Sequence, residues 1–219
     1  WEEAARRMAH EIKNPLTPVR LAAERIRRKA RGSAGCDAEL AKVVEEGADT
    51  IVQEVRSLAA LVDAFHRFAR LPETRLGELD LGTVVVQVVK LYEGTKAGVR
   101  VAAEAAPDLP AVRGDAEQVK RALVNLVDNA VAATPPGGSV SVRASVDGGL
   151  ARVVVSDDGP GIPPEERDLV FEPTFSTKAN GYGLGLSITS RIAAEHRGRV
   201  ILEENAPRGC RFVFEWPAA

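Results

Sequence analysis

The chain carries, close to its N-terminus, the stretch Met8-Ala9-His10-Glu11-Ile12-Lys13-Asn14-Pro15-Leu16-Thr17-Pro18. A histidine, an acid and an amide fall close together here, directly before two prolines. Each proline removes a helical N–H donor and frees the carbonyl four residues earlier, so we expect the helix to bend just below His10. Taken alone, the stretch leaves two interpretations open, a chemically active histidine and an ordinary surface histidine near a helix end.

The residues on either side of this stretch carry a heptad pattern, in which apolar residues recur in alternating steps of four and three. The first helix has them at Ala5, Ala9, Ile12, Leu16, Val19, Ala23, Ile26 and Ala30. After a Gly-Ser-Ala-Gly break, the second helix has them at Leu40, Val44, Gly47, Ile51, Val55, Leu58, Val62 and Phe65. This pattern predicts an antiparallel hairpin. One hairpin cannot enclose two apolar seams, so we expect two copies to form a four-helix bundle, which makes the protein a homodimer.

The position of His10 relative to the seam indicates that it faces outward. His10 lies two residues before the seam position Ile12, which is roughly half a turn away around the helix. Asn14 follows at i+4 and therefore shares the face of His10. The pattern thus predicts a histidine and an amide exposed together on the outside of the bundle.

Composition and charge limit the classes of protein to consider. The formal net charge is −2, so the chain lacks the basic footprint of a nucleic-acid-binding domain, and we expect no nucleic-acid partner. The two cysteines have no histidine cluster near them, which favours neither a disulfide framework nor a zinc site and fits a cytoplasmic setting. No apolar run approaches the length of a membrane span. Because the chain begins at Trp1, inside a helical pattern, we expect any membrane contact to come only through segments outside this fragment.

A change in composition near Pro72 predicts two domains. We expect a helical hairpin over residues 1–71, a linker over 72–79 and a second domain over 80–219. The second domain should contain helices at Leu81–Tyr92, Asp115–Ala133 and Leu184–Glu195, together with a strand at Val99–Glu104. Two strand hairpins are predicted, Ser139–Val146 with Leu150–Ser156 and Val200–Glu203 with Phe212–Trp216, and a long loop spans Asp157–Gly183. The predicted class is α+β, with one helical layer on one mixed sheet.

Two asparagines lie four residues apart on the predicted Asp115–Ala133 helix. Asn125 and Asn129 therefore share one helical face. Neutral amides offer oxygen ligands to a hard cation such as Mg²⁺ without repelling phosphates. By itself, such a pair is more often only a polar helix face.

An acidic turn with two glycines follows a buried strand, in the run Asp157-Asp158-Gly159-Pro160-Gly161-Ile162. A carboxylate at a strand end, beside glycines that allow a flat ring to approach the backbone, is suited to accept a hydrogen bond from the exocyclic amine of adenine. The alternative is a simple turn with Asx capping.

A third run, Gly181-Tyr182-Gly183-Leu184-Gly185-Leu186, leads directly into a helix. Free N–H groups and the helix dipole at such a start favour phosphate. A single glycine-rich run is weak evidence, and the sequence has neither a Walker Gly-Lys-Ser/Thr nor a protein-kinase His-Arg-Asp motif.

Five motifs in this order resemble the H, N, G1, F and G2 boxes of two-component sensor histidine kinases. They are His10-Glu11-x-x-Asn14-Pro15, Asn125-x-x-x-Asn129-Ala130, Asp157-x-Gly159-x-Gly161, Phe171-Glu172-Pro173-Thr174-Phe175-Ser176-Thr177-Lys178 and Gly181-x-Gly183-Leu184-Gly185-Leu186. The first helix is most similar to the NtrY-type nitrogen-regulation sensors. The resemblance covers nearly the whole chain, and it implies a dimerisation and phosphotransfer hairpin followed by a Bergerat-type ATP-binding domain.

The resemblance also implies residue roles for a bound Mg·ATP. Asn129 is expected to ligate Mg²⁺, Asn125 to lie near the phosphates and Asp157 to bind adenine. The nucleotide-binding set then comprises Asn125, Asn129, Asp157, Gly159, Gly161, Ile162, Lys178, Gly181, Tyr182, Gly183, Leu184 and Gly185, with residues 176–185 forming a lid. Many family members carry a lysine where this chain has Ala132, so Lys178 and Arg121 become the candidates for neutralising phosphate.

The expected reaction is autophosphorylation of His10 by ATP, followed by transfer to an aspartate on a response-regulator receiver. We expect Glu11 to reach one nitrogen of His10, fix its tautomer and take its proton as the other nitrogen attacks. By resemblance, Asn14 orients water that hydrolyses the phosphorylated regulator. Two other classes stay open, an ATP-hydrolysing conformational clamp of the chaperone or topoisomerase type and a non-catalytic dimerisation scaffold.

Overall fold

The computed structural model describes residues 16–28, 38–69, 73–94, 98–105, 109–173, 175 and 183–219. These residues divide into two compact units. The first contains the described residues up to 69, and the second contains those from Glu73 onward.

The first unit consists of two helices, α1 over residues 16–28 and α2 over Ala38–Ala69. Ala23 of α1 packs in one buried cluster with Ala48 and Val52 of α2. Arg27 donates to Asp49 at 2.7 Å, which also places the two helices side by side. Small side chains at this contact allow the helix backbones to approach closely. The predicted hairpin is confirmed for the residues described.

The predicted heptad seam is only partly buried in a single chain. Ala23, Val55 and Val62 are buried, whereas four other members are exposed by 42–52%: Val19, Ile26, Ile51 and Leu58. The buried contact on α2 includes Ala48 and Val52, one position after the predicted Gly47 and Ile51. The hairpin therefore closes on one edge of the apolar stripe and leaves the other edge uncovered.

The second unit is built on a five-stranded mixed sheet. Its strands are β2 (Arg100–Ala105), β4 (Ser139–Asp147), β5 (Leu150–Asp157), β6 (Arg199–Glu204) and β7 (Cys210–Pro217), in the order β2-β4-β5-β7-β6. The β2–β4 pair is parallel, and the other three pairs are antiparallel. Gly148 and Gly149, with φ of 57° and 77°, form the two-residue turn between β4 and β5. Two positive φ values are what a tight hairpin turn of this length requires, and Gly adopts them without strain.

Three helices cover one face of this sheet, α3 (Leu81–Lys90), α4 (Ala116–Ala133) and α5 (Gly185–Glu195). Alternate residues of the central strands point toward them, so Val140, Val142, Val153, Phe214 and Trp216 are almost fully buried. They meet helix residues that are also fully buried, among them Leu81, Leu123, Leu126 and Ile192. The predicted α+β architecture with one helical layer is confirmed.

The N-terminus of α4 is fixed by neighbours that are distant in sequence. The Asp115 carboxylate caps the helix by accepting from the N–H groups of Glu117 and Gln118, both at 3.1 Å. The Asp115 N–H donates to Nε2 of the buried His196 at 3.0 Å, while Nδ1 of His196 faces the Ile192 carbonyl at 2.8 Å. His196 is therefore placed as a neutral imidazole that joins the end of α5 to the start of α4, the helix that carries Asn125 and Asn129.

The predicted linker over residues 72–79 is wrong for its second half. Gly77–Leu79 forms β1, which pairs antiparallel with β3 (Val112–Gly114). Thr74 donates to Glu195 of α5 at 2.7 Å, so the segment before β1 is also part of the second unit. Strands of three residues are too short to produce a readable alternation, which explains why both were missed.

The long Asp157–Gly183 loop contains two short 3₁₀ turns, Pro164–Glu166 and Leu169–Phe171. Neither turn was predicted. Among the described parts of the chain, no helix has the length and apolarity to cross a membrane.

Candidate nucleotide and phosphotransfer site

The predicted phosphotransfer residues lie outside the part of the chain that the structure describes. This applies to His10, Glu11 and Asn14, and it applies equally to three predicted lid residues, Lys178, Gly181 and Tyr182. The roles proposed for these six residues stay predictions. The other predicted site residues are described, and they all belong to the second unit.

Helix α4 and the start of α5 meet at Asn125. Its side-chain Nδ2 donates to the Gly185 carbonyl at 3.2 Å. This bond fixes the amide orientation and holds the glycine-rich run next to the asparagine helix. Leu184 is buried and Gly183 has φ +64°, a value that favours glycine. The structure therefore brings two of the predicted motifs together.

Asp157 lies at the end of β5 and is only 2% exposed. Both of its side-chain hydrogen bonds go to one oxygen, because Oδ1 accepts from the N–H groups of Gly159 at 2.8 Å and Cys210 at 3.3 Å. No residue within the described ranges donates to Oδ2. Burial raises the pKa of Asp157, these two N–H groups lower it, and the neighbouring Asp158 raises it, with an upward net shift. Asp157 is thus a nearly buried carboxylate with one oxygen left to accept a donor.

The glycine at position 159 permits the turn to lie close to α4. A Cβ at Gly159 would come within 2.7 Å of Asp157 Oδ1 and 3.2 Å of the Ala133 carbonyl. Any side chain here would therefore push the turn away from the helix. Gly161 has φ +82°, the left-handed conformation that other residues rarely adopt. The turn thus requires glycine at both predicted positions, for two different reasons.

Asp158, the next residue, has the opposite surroundings to Asp157. Its Oδ2 accepts from the hydroxyl of Ser139 at 2.7 Å and from the Ser139 N–H at 2.8 Å. These hydrogen bonds lower the pKa of Asp158, and nearby arginines contribute in the same direction. Asp158 therefore anchors the turn to the sheet.

A cleft of about 650 Å³ adjoins this turn on the side of the β6–β7 connection. It is lined by Gly161 and Ile162, together with Leu202, Arg208 and Cys210 among others. Asp157, Asn125 and Asn129 are absent from its lining. The structure therefore places Ile162 in the lining of this cleft, which includes the Gly161 turn but not the Asp157 carboxylate or the two asparagines.

The donor set on α4 fits a magnesium ion that has few protein ligands. Asn125 and Asn129 supply neutral amides one turn apart, and Arg121 precedes Asn125 by the same interval on that face. The described residues contain no cluster of three or more His, Cys, Asp or Glu side chains that would form an all-protein cage. Mg²⁺ commonly keeps water and substrate phosphates as its other ligands, so one amide oxygen is chemically sufficient.

Two residues at the β6–β7 connection hydrogen-bond to Asp157, and neither was predicted from the sequence. Asn205 donates through Nδ2 to the Asp157 carbonyl at 2.9 Å, and Cys210 donates its N–H to the carboxylate. These residues lie about fifty positions after Asp157 in sequence. The run Gly209-Cys210-Arg211-Phe212 at the start of the final strand carries no local signal that would identify them.

Two protein-family models together match most of the chain. Residues 1–74 match the His Kinase A (phospho-acceptor) domain, and residues 114–219 match the Histidine kinase-, DNA gyrase B-, and HSP90-like ATPase family. The two matches occur in the same order as the two structural units. This chain belongs to the sensor histidine kinases.

The relatives of this kinase include a nitrogen regulation protein and a sensory histidine kinase/phosphatase. It is 37% identical to the nitrogen regulation protein NtrY of Azorhizobium caulinodans over 216 residues, which is 95% of this chain and 27% of NtrY. It is 33% identical to the sensory histidine kinase/phosphatase NtrB of Rhodobacter capsulatus, over 98% of this chain and 61% of NtrB. The kinase described here therefore spans about a quarter of the first relative and under two thirds of the second.

Solved structures of histidine kinases have the same fold. Full-length ShkA in complex with AMPPNP matches 99% of this kinase with a TM-score of 0.72 and 29% identity, over 46% of ShkA. The catalytic domain of ThkA matches 66% of it with a TM-score of 0.61 and 34% identity, over 96% of that domain. ThkA in complex with the response regulator TrrA matches 99% with a TM-score of 0.69 and 28% identity, over 61% of ThkA. The second unit is thus an ATP-binding domain of this family.

Proposed function

We propose that this kinase transfers the γ-phosphoryl group of ATP to His10 and then to an aspartate of a response-regulator receiver. The observation that supports ATP binding is the environment of Asp157. Its nearly buried carboxylate has Oδ1 hydrogen-bonded to two backbone N–H groups, whereas Oδ2 has no donor among the described residues. Every fully buried side-chain oxygen or nitrogen among the described residues has a hydrogen-bond partner, so Oδ2, which has none, is not fully buried and a ligand can reach it. The exocyclic amine of adenine is a donor of the right chemistry.

The remaining roles follow from the residues around Asp157. Gly159 and Gly161 keep side chains out of the turn on which the base rests. The N-terminus of α5 has no side-chain cap, so its N–H groups suit phosphate oxygens, and Arg121 on α4 adds a positive charge on the face of Asn125. Lys178 is the second candidate cation. Asn129 would hold the magnesium ion, which would supply charge neutralisation for the phosphates.

The transfer step is assigned to His10 and Glu11. A neutral imidazole is a competent nucleophile near neutral pH, so the step needs little more than positioning. One nitrogen of His10 forms a bond to the γ-phosphorus of ATP while the bond from that phosphorus to the bridging oxygen breaks and ADP leaves. Glu11 takes the proton from the other nitrogen. As the phosphoryl group then passes to a receiver aspartate, Glu11 returns the proton to the ring, which regenerates neutral His10.

The homodimer is supported by the uncovered edge of the hairpin seam. Val19 and Ile26 are one heptad apart on α1, and Ile51 and Leu58 are one heptad apart on α2. All four are exposed by more than 40% in the single chain. A second copy that buries them completes the four-helix bundle. The phosphotransfer histidines then face outward from a cytoplasmic dimer, where a receiver can reach them.

The experiment that tests this proposal follows the phosphate in the purified chain. With [γ-³²P]ATP and Mg²⁺ we expect label on the protein that is stable in alkali and labile in acid, and its transfer to a purified receiver. A conformational clamp would release phosphate without labelling the protein. A dimerisation scaffold would bind no Mg·ATP. Either result would contradict the proposal.

We also propose a regulator phosphatase activity, which the naming of the relative NtrB as a kinase/phosphatase supports. Asn14 shares the helical face of His10 and is suited to orient water toward an acyl phosphate. Asn14→Ala should abolish dephosphorylation of the receiver while His10 labelling continues. Equal loss of both activities would count against this role.

A further inference from the structure

We propose that the β6–β7 connection, residues 205–210, is a positioning element for the adenine-binding carboxylate, and that Asn205 is its key side chain. This inference rests on the proposed nucleotide role of Asp157. It goes further by naming what decides which oxygen of Asp157 is presented to the base. Asn205 touches Asp157 only at the backbone, so it acts through Asp157 and is a positioning residue.

Asn205 ties the connection to the end of β5. Its Nδ2 donates to the Asp157 carbonyl at 2.9 Å, and its own N–H donates to the Gly209 carbonyl at 3.2 Å. One residue therefore both closes the connection on itself and attaches it to Asp157. The amide is half-buried, so water competes only partly for these bonds.

Gly209 shows how closely the connection lies against Asp157. A Cβ at position 209 would fall 1.8 Å from the Asp157 carbonyl oxygen, and the residue has φ +107°. Only glycine fits such an approach in this conformation. The contact is therefore a specific fit between two backbones.

The fit matters because the next residue reaches the carboxylate. Cys210 N–H donates to Asp157 Oδ1 at 3.3 Å, and Gly159 N–H donates to the same oxygen at 2.8 Å. Two donors on one oxygen fix the carboxylate rotation and leave Oδ2 for a ligand. The Cys210 bond is near the long end of the normal range, so a small outward shift of the connection breaks it. Asn205 opposes that shift.

The test compares ADP with purine riboside 5′-diphosphate, which lacks the exocyclic amine. Calorimetry on the full chain measures both dissociation constants for the wild type and for Asn205→Ala. We expect about a three- to tenfold rise in the ADP constant for the variant, because a misplaced carboxylate makes a weaker hydrogen bond. The constant for the analogue should change less than about twofold, since that ligand never used the carboxylate.

Two controls separate positioning from general damage. Arg208→Ala alters the same connection at an exposed side chain and should leave the ratio of the two constants unchanged. In an Asp157→Asn background, which removes the charged acceptor, adding Asn205→Ala should not change the ratio further. Thermal melting of every variant checks that the second unit remains folded.

Two outcomes would overturn the inference, and they differ in what else they overturn. If Asn205→Ala weakens ADP and the analogue equally, or weakens neither, the connection does not position the carboxylate, while the adenine role of Asp157 stands. If the wild type binds both ligands with the same affinity, the adenine role of Asp157 fails, and this inference fails with it.

Discussion

The two units of this kinase differ in how completely they bury their own apolar residues. The second unit encloses a core in which Leu81, Leu123, Phe214 and Trp216 are almost inaccessible. The described part of the hairpin buries mainly small side chains and leaves larger ones, such as Ile26 and Ile51, at its surface. The core of the second unit is therefore closed within one chain, whereas the hairpin leaves apolar residues uncovered. Under the proposed function, we expect a monomer to bind ATP and a dimer to present His10.

The largest expected effect comes from placing a charge on the uncovered seam. Ile51→Asp should weaken dimerisation by about a thousandfold, because a symmetric interface would bury two unpaired carboxylates. Sedimentation velocity across a concentration series measures the change, and Gln53→Asp, an exposed neighbour, is the matched control. ADP affinity should stay at the wild-type value. A variant that remains dimeric would show that the seam is not the interface.

A cavity in the second unit should destabilise that unit and leave dimerisation unchanged. Leu123 is fully buried, so Leu123→Ala should cost about 2–5 kcal/mol of unfolding free energy. Leu91→Ala, at a half-exposed position, should cost less than about 0.5 kcal/mol. Urea unfolding followed by the fluorescence of Trp216, in a Trp1→Phe background that removes the other tryptophan, reports on this unit. Loss of the dimer in Leu123→Ala before the unit unfolds would contradict the separation of the two cores.

Adjacent aspartates should respond in opposite ways to removal of their charge. The pKa of Asp157 is raised in the folded chain, so its carboxylate destabilises the ligand-free fold once pH rises through that pKa, and Asp157→Asn should raise Tm at neutral pH. The pKa of Asp158 is lowered, so its carboxylate stabilises the fold above its ordinary pKa and loses that effect as pH falls. Asp158→Asn should therefore lower Tm at neutral pH. We expect shifts of about 2–4 °C in each direction.

Asp157→Asn also tests whether this carboxylate binds the nucleotide. Asp157→Asn should weaken ADP binding by about tenfold or more despite its higher Tm, because a charged acceptor is lost. ADP affinity of the wild type should fall as pH drops through the raised pKa of Asp157. A lower Tm for Asp157→Asn would mean that burial of Asp157 does not destabilise the charged form, and a higher Tm for Asp158→Asn would mean that the Ser139 hydrogen bonds do not stabilise the fold.

The smallest effect is expected at the ion pair of the hairpin. Arg27 and Asp49 are 2.7 Å apart, but their side chains are 34% and 50% exposed. Arg27→Ala should change dimer stability by less than about 0.5 kcal/mol, since solvent screens such pairs. Thermal melting of the dimer measures this, and a loss comparable with that of Ile51→Asp would show that charge and not apolar burial holds the hairpin.

Periodicity and turn chemistry were sufficient to predict most of the fold. The predicted hairpin turn at Gly148 and Gly149 and the helix that begins after Asp115 agree with the structure to within a residue or two. β1 and β3 were missed because three residues are too few to show alternation. The seam of α2 was predicted one position away from part of the buried contact, because a heptad stripe is wider than the contact a single neighbour makes.

The candidate site was predictable where chemistry is local in sequence. Asp157 and its two glycines lie within five positions, so the turn and its acceptor could be recognised together. The donors that complete the turn, Asn205 and Cys210, come from a connection that folding brings back across β5. No local pattern encodes that contact, which depends on the order of strands in the sheet.

The most direct test of His10 as the phosphate acceptor compares wild type with His10→Gln in three assays on the same preparations. The variant should take up no acid-labile label from [γ-³²P]ATP, yet bind ADP with the wild-type constant and remain a dimer. Label that persists in the variant would contradict His10 as the phosphate acceptor. Loss of ADP binding or of the dimer together with the label would contradict the division of labour between the two units.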